Sequence, residues 1–96
     1  MLNILIRPQA RNDIKKIWRY TYNNWGEKQA DNYAHAIGLA INEMPENPEI
    51  GNNIDNICKG YRLYHFKHHL IVYRLSSAVI EVVRVLGENM EIKLHL

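Results

Sequence analysis

Two helical stripes with one glycine between them constrain this chain most. Behind Pro8, the residues Ala10, Ile14, Ile17 and Thr21 recur at helical spacing, and Trp18 and Trp25 widen the stripe. Proline suits a first helical turn, where its missing N–H costs nothing. Gly26 is placed to end this helix as a left-handed residue. A second stripe follows at once: Ala30, Tyr33, Ala34, Ile37, Ile41 and Met44. Pro45 stops it, and Pro48 and Gly51 mark a loop. Helices joined this closely fold back on each other as an antiparallel hairpin. On the first helix, Asp13 lies beside Lys16, which predicts a local ion pair.

The flanks change period. "LNILIR" (2–7) is short and apolar and predicts a strand closed by Pro8. "GNNIDNICKG" (51–60) reads as a loop. Three strands are predicted after it, Tyr61–Phe66, His69–Leu75 and Val79–Leu86, with turns at "KH" and "SSA". Connections this tight make antiparallel neighbours. The expected class is α+β: an N-terminal strand, an antiparallel helical hairpin, then a three-stranded antiparallel meander, all forming one sheet (βααβββ). The 96 residues make one domain, 1–96, and the hairpin must cover a sheet face, because so short a chain has no other core to build. The tail "MEIKLHL" alternates Met90, Ile92, Leu94 and Leu96 with Glu91, Lys93 and His95. Period two suggests an extended segment, while Met90 and Leu94 would equally suit one helical turn.

Charge and cysteine usage narrow the setting. A net charge of +2 is a weak argument for a dedicated duplex binder. Positions 51–96 hold six Lys/Arg, four acids and four of the five histidines, so this half is the more basic one. Cys58 is the only cysteine, which excludes an internal disulfide and fits a reducing compartment. The N-terminus lacks the pattern of a signal peptide, and no apolar run approaches the ~20 residues of a membrane span. A cytoplasmic protein without membrane contact is expected.

These residue types bear on several chemistries. His65, His68 and His69 crowd the first hairpin turn, but no zinc-type spacing joins them to Cys58 or Asp55. Neither a metal nor a cofactor is expected, and a solvated turn is the simpler reading. Metal-free RNA cleavage needs a base, an acid and cations for the phosphorane. Arg62, Arg74 and Arg84 sit on three successive strands and could share one face, with His65 or His69 titrating near neutrality. Arginines that cap carbonyls and pair with Glu81 explain the same pattern. Ser76 and Ser77 carry no nucleophile motif, Cys58 has no activating partner, and no glycine-rich phosphate loop is present.

Taken in order, these stretches resemble the ParE-like toxins. The resemblance rests on Ala10, Asp13, Ile14, Ile17, Tyr20, Thr21, Trp25, Gly26, Gln29, Ala30 and Tyr33, then on "ENPEIG" (46–51), "GYR" (60–62), "VYR" (72–74), "VVRVL" (82–86) and the tail. It implies the toxin of a type II toxin–antitoxin pair, which traps the cleaved-DNA complex of DNA gyrase without catalysis of its own. It also implies a ParD-like antitoxin in a hetero-oligomer, with DNA reached only through antitoxin or gyrase. Target contacts are expected from Arg62, Arg74, Arg84, Met90, Ile92, Lys93, Leu94, His95 and Leu96. Antitoxin contacts are expected from Ile14, Trp18, Tyr22, Ile37 and Ile41. The alternative is a RelE-like ribosome-dependent endoribonuclease using Arg62, Arg84 and a histidine. Such nucleases carry catalytic side chains around the last strand and just beyond it, where this chain has Gly87, Glu88 and Asn89. Glycine transfers no proton, and a carboxylate repels phosphate, so this alternative ranks second.

Overall fold

The structure is a computed structural model and describes residues 2–96. In chain order it has β1 (Asn3–Ile6), α1 (Pro8–Trp25), α2 (Glu27–Glu43), a 3₁₀ turn (Met44–Glu46), β2 (Asn52–Asn53), β3 (Tyr61–Phe66), β4 (His69–Ser76), β5 (Val79–Gly87) and a second 3₁₀ turn (Ile92–Leu94). The strands form one sheet in the order β1-β5-β4-β3-β2. The meander is antiparallel as expected, but β1 joins it parallel to β5, so the sheet is mixed. The segment read as a loop also gives up Asn52 and Asn53 to pair with Leu63 and Arg62, adding a fifth strand.

Local chemistry sets the boundaries. Arg7 is extended (φ −63°, ψ 152°), as a residue before proline must be, and α1 starts on Pro8. Gly26 both ends α1 and begins α2. Its N–H donates to the Tyr22 carbonyl, and its own carbonyl accepts the Ala30 N–H. With φ 92° and ψ 176° it is not the left-handed terminator expected; it occupies a mirror-extended region that suits glycine almost alone. The α-helix ends at Glu43, just before Pro45 as expected, and Pro45 lies inside the 3₁₀ turn that carries Met44 into the core.

Both faces of the sheet are covered. Ala10, Ile37, Ile41 and Met44 meet Ile71, Tyr73, Ile80, Val82 and Val85 on the helical side. On the other side Ile54, Val72, Val83 and Leu86 pack under Ile57, Tyr61 and Leu63. The Asn-rich segment thus lids the second face. Ile37 and Ile41 are 0% and 1% exposed, which corrects their expected place on an antitoxin-binding surface. The cleanest stripe of α2 is its core stripe, and the sheet already occupies it. The register of β4 against β5 slips between Val72 and Tyr73, which pair with Arg84 and Val82 and leave Val83 as a bulge. Tyr73 also anchors the loop before β2: its hydroxyl donates to the Pro48 carbonyl (2.8 Å) and accepts the Gly51 N–H (2.9 Å). A Cβ on Gly51 would lie 2.8 Å from the Tyr73 ring, so only glycine fits there.

Candidate functional site

The helical hairpin stands away from one end of the sheet and leaves a two-lobed cleft. The outer lobe, about 540 Å³, lies between the α1–α2 junction, the β3–β4 turn and the residues that follow β5. The inner lobe, about 530 Å³, runs along α1 beside the end of β5. Tyr20, His69, Gly87 and Met90 border both.

In the outer lobe the helices supply aromatic rings and the sheet supplies imidazoles. Tyr20 and Trp25 meet edge to face at 6.0 Å, and both are largely in solvent. Tyr33, nearly two turns into α2 from the junction, reaches across to the sheet. Its hydroxyl lies 2.6 Å from His69 Nδ1 and receives the His68 N–H at 3.4 Å. Burial, then the neighbouring His68, holds His69 below the usual histidine range, so the ring is neutral near pH 7. With the His69 proton on Nε2 the Tyr33 hydroxyl donates to Nδ1, and with the proton on Nδ1 the ring donates to the hydroxyl oxygen. Burial also raises Tyr33, which keeps that hydroxyl protonated. Lys67 holds the turn at φ 54° and places its ammonium 5.8 Å from the Tyr33 ring centre. Glu88 closes the lobe: one oxygen lies 2.9 Å from His65 Nε2 and the other 3.3 Å from His68 Nδ1. Hydrogen bonds from His65, then from His68, hold Glu88 below its ordinary value. The histidine group is therefore not a bland solvated turn. His65 and His68 are exposed, but His69 is turned inward against Tyr33.

The inner lobe is built on one carboxylate. Asp13 Oδ2 accepts from Arg84 Nε at 2.7 Å, and Oδ1 accepts from Arg84 Nη2 at 2.9 Å. Oδ2 also takes the Val85 N–H at 3.0 Å. Strand β1 pairs with β5 only as far as Val82, so the edge of β5 beyond it needs another acceptor, and α1 supplies Asp13. This replaces the expected Asp13–Lys16 pair. The bond with Asp13 holds the Arg84 guanidinium above its already high value. Its Nη1 donates to the His95 carbonyl at 3.2 Å, tying the tail to the node.

The three strand arginines do not converge. Arg62 stands opposite Tyr73 and donates to the Gly51 carbonyl. Arg74, next along β4, points to the other face and donates to Glu81 at 2.6 Å. Glu81 also accepts from Arg7 at 2.8 Å, and these two bonds, Arg7 first, hold its carboxyl below the usual range. Only Arg84 borders the cleft. In the tail, Met90 and His95 line the cleft, while Leu94 and Leu96 are 79% and 39% exposed. Ile92–Leu94 form a 3₁₀ turn rather than an extended run, and the Met90 sulfur folds back onto the Gly87 N–H. On α1, Ile14 packs against the core edge, and Trp18 stacks on Tyr22 at 5.2 Å and donates to Asp31. Tyr33 and Glu88 were missed as site residues. Tyr33 fell in a core stripe, and Glu88 finds its partners only once β5 lies beside the β3–β4 turn. Among the described residues, no group of three or more His, Cys, Asp or Glu is disposed to hold a metal ion, and no helix is long and apolar enough to cross a membrane.

Comparison with known proteins points one way. Residues 4–92 match the family model of the ParE toxin of type II toxin–antitoxin systems (parDE). The chain is 37% identical over 93 residues to Toxin ParE1 of Mycobacterium tuberculosis, covering 96% of this chain and 95% of that protein. It is 34% identical over 88 residues to Toxin ParE1 of Caulobacter vibrioides, covering 92% and 91%. Its fold superposes on a chain of the chromosomal ParDE system from P. aeruginosa with a TM-score of 0.81 at 15% identity, covering 91% and 96%. It also superposes on YoeB from Staphylococcus aureus with a TM-score of 0.60 at 20% identity, covering 88% and 94%.

Proposed function

The chain belongs to the ParE toxin family of type II toxin–antitoxin systems, and from that premise we propose that it binds DNA gyrase in the cytoplasm, traps the cleaved-DNA complex, and is neutralised by a cognate ParD-like antitoxin in a hetero-oligomer. The observation that carries this reading is the family match, which runs from β1 into the tail. The surface suits a protein that binds rather than one that turns over substrate. Met90, Leu94 and Leu96 are exposed beside an open cleft, and each apolar side chain buried by a partner contributes about 1.5–3 kcal/mol. In this proposal the tail from Met90 to Leu96 contacts gyrase, with Arg84 holding its end in place. The antitoxin covers Ile14, Trp18 and Tyr22, burying roughly 1,500 Å² or more. Ile37 and Ile41, buried against the sheet, are left out of this proposed set. Arg62 and Arg74 have backbone and Glu81 partners of their own, and they remain target contacts only through their exposed edges.

The test is a supercoiling assay with purified gyrase and free toxin. Inhibition with trapped cleaved DNA at micromolar toxin is expected, and its absence rejects the reading. Deleting Lys93–Leu96 is expected to leave folding and antitoxin binding intact and to abolish inhibition. If folding is lost as well, the tail is core. One observation keeps a second reading in play: Tyr33 and neutral His69 form a hydrogen-bonded acid–base pair inside the cleft. Codon-phased transcript cuts after induction that vanish in His69→Gln would favour a RelE-like endoribonuclease instead.

A further inference from the structure

The net charge of +2 conceals a segregated surface. Helix α1 carries Arg11, Lys15, Lys16 and Arg19, all exposed, and its one acid, Asp13, is buried against Arg84. Those four cations exceed the charge of the whole chain. Among the described residues none of them forms an ion pair, whereas Arg7, Arg74 and Arg84 all do. Arg11, Lys15 and Arg19 are four residues apart, so each rises about 6 Å above the last along one outward arc. Exposed Asn12 and Asn23 share that arc, Pro8 and Tyr22 also fall on it by helical spacing, and α1 places no exposed carboxylate there.

We propose that this face of α1 is a docking surface for the phosphate backbone of duplex DNA. A peptide partner would need an apolar centre to its contact, and the arc has only the Tyr22 ring, near the edge where it stacks on Trp18. Unstacked single strands are gripped by a row of separate aromatic platforms, whereas the rings along this arc, Trp18 and Tyr22, stack on each other at 5.2 Å. Duplex contacts are strongly basic and polar, as this face is. Three or four phosphate contacts bind weakly at physiological salt, so the face acts when another protein, such as one already holding DNA, brings duplex alongside. The expectation that DNA is reached only through partners is thereby extended to a direct contact within such a complex.

The test needs no gyrase, so it stands or falls apart from the gyrase reading. Fluorescence anisotropy of a labelled 24-base-pair duplex is measured with the free protein from 50 to 200 mM NaCl. Expected is a slope of log K against log salt of about −3. Arg11→Gln with Lys15→Gln should weaken binding at least about tenfold, while Lys28→Gln with Lys59→Gln, an equal loss of charge elsewhere, should leave it within about twofold. Circular dichroism confirms that both variants fold. Equal loss in both pairs, no duplex binding at 50 mM salt, or tighter binding of a single strand or of a polyglutamate peptide overturns the proposal.

Discussion

The inner lobe of the cleft is fastened by a carboxylate–guanidinium pair whose side chains are only 8% and 16% exposed, while the outer lobe is fastened by imidazoles, with the side chains of His65 and His68 57% and 80% in solvent. The two lobes share walls but differ in what their bonds can do. The Asp13–Arg84 pair is bidentate, excludes most water and also satisfies a strand-edge N–H. Neither partner can leave without stranding the other. The outer lobe is joined by Tyr33, His69 and the doubly contacted Glu88, all of which can exchange their bonds for water or a ligand. One lobe therefore sets the angle between α1 and the sheet, and the other can respond to what enters it.

The comparison breaks most readily at Asp13. Asp13→Ala leaves Arg84 buried without its counter-charge and the Val85 N–H without an acceptor, and should cost about 3–5 kcal/mol in a denaturant melt. The double variant Asp13→Leu, Arg84→Met should recover much of that, because no orphaned charge remains. A cost below about 1 kcal/mol for Asp13→Ala would show that the inner lobe is no more rigid than the outer.

In the outer lobe Tyr33→Phe should cost only about 1–2 kcal/mol, since His69 can turn to water. The sharper probe there is pH. His69 is depressed when folded, so between its ordinary and its folded pKa the unfolded chain binds more protons. Its contribution is complete above the ordinary histidine value, near pH 6.5, and is lost as pH falls through the lower folded value. Stability between about pH 7 and 5 should therefore fall less steeply in His69→Gln than in the parent. Equal slopes would mean that folding does not depress His69.

These contrasts also explain what the sequence could and could not reveal. Both helices and the three meander strands were legible because each keeps its own period between proline, glycine and tight turns. The parallel seat of β1 was not, since a four-residue strand carries no mark of its neighbour. Strand β2 spans two asparagines and has no pattern at all. Asp13 and Arg84 are 71 positions apart, and Tyr33 and His69 are 36 apart, so sequence proximity favoured the wrong partner Lys16 and a loose histidine turn. Ile37 and Ile41 failed as surface residues for the opposite reason: the strongest periodicity marks the deepest burial.

The smallest expected effect lies in the two hairpin turns. Lys67 and Ser77 hold φ 54° and 51°, a left-handed backbone that costs a residue with a Cβ about 1–2 kcal/mol. Glycine removes that cost but loses about 0.5–1 kcal/mol to a freer unfolded chain. Ser77 forms no side-chain hydrogen bond among the described residues, so Ser77→Gly should gain roughly 0.5 kcal/mol. The Lys67 ammonium lies 5.8 Å from the Tyr33 ring centre and 5.5 Å from that of Phe66, contacts worth about 0.5–1 kcal/mol at an exposed site. Lys67→Gly gives these up and should come out neutral or slightly destabilising. The difference between the two glycine variants, read from paired melts, isolates what the lysine side chain contributes to the outer lobe. If both gain equally, Lys67 contributes nothing there, and the lobe rests on Tyr33, His69 and Glu88 alone.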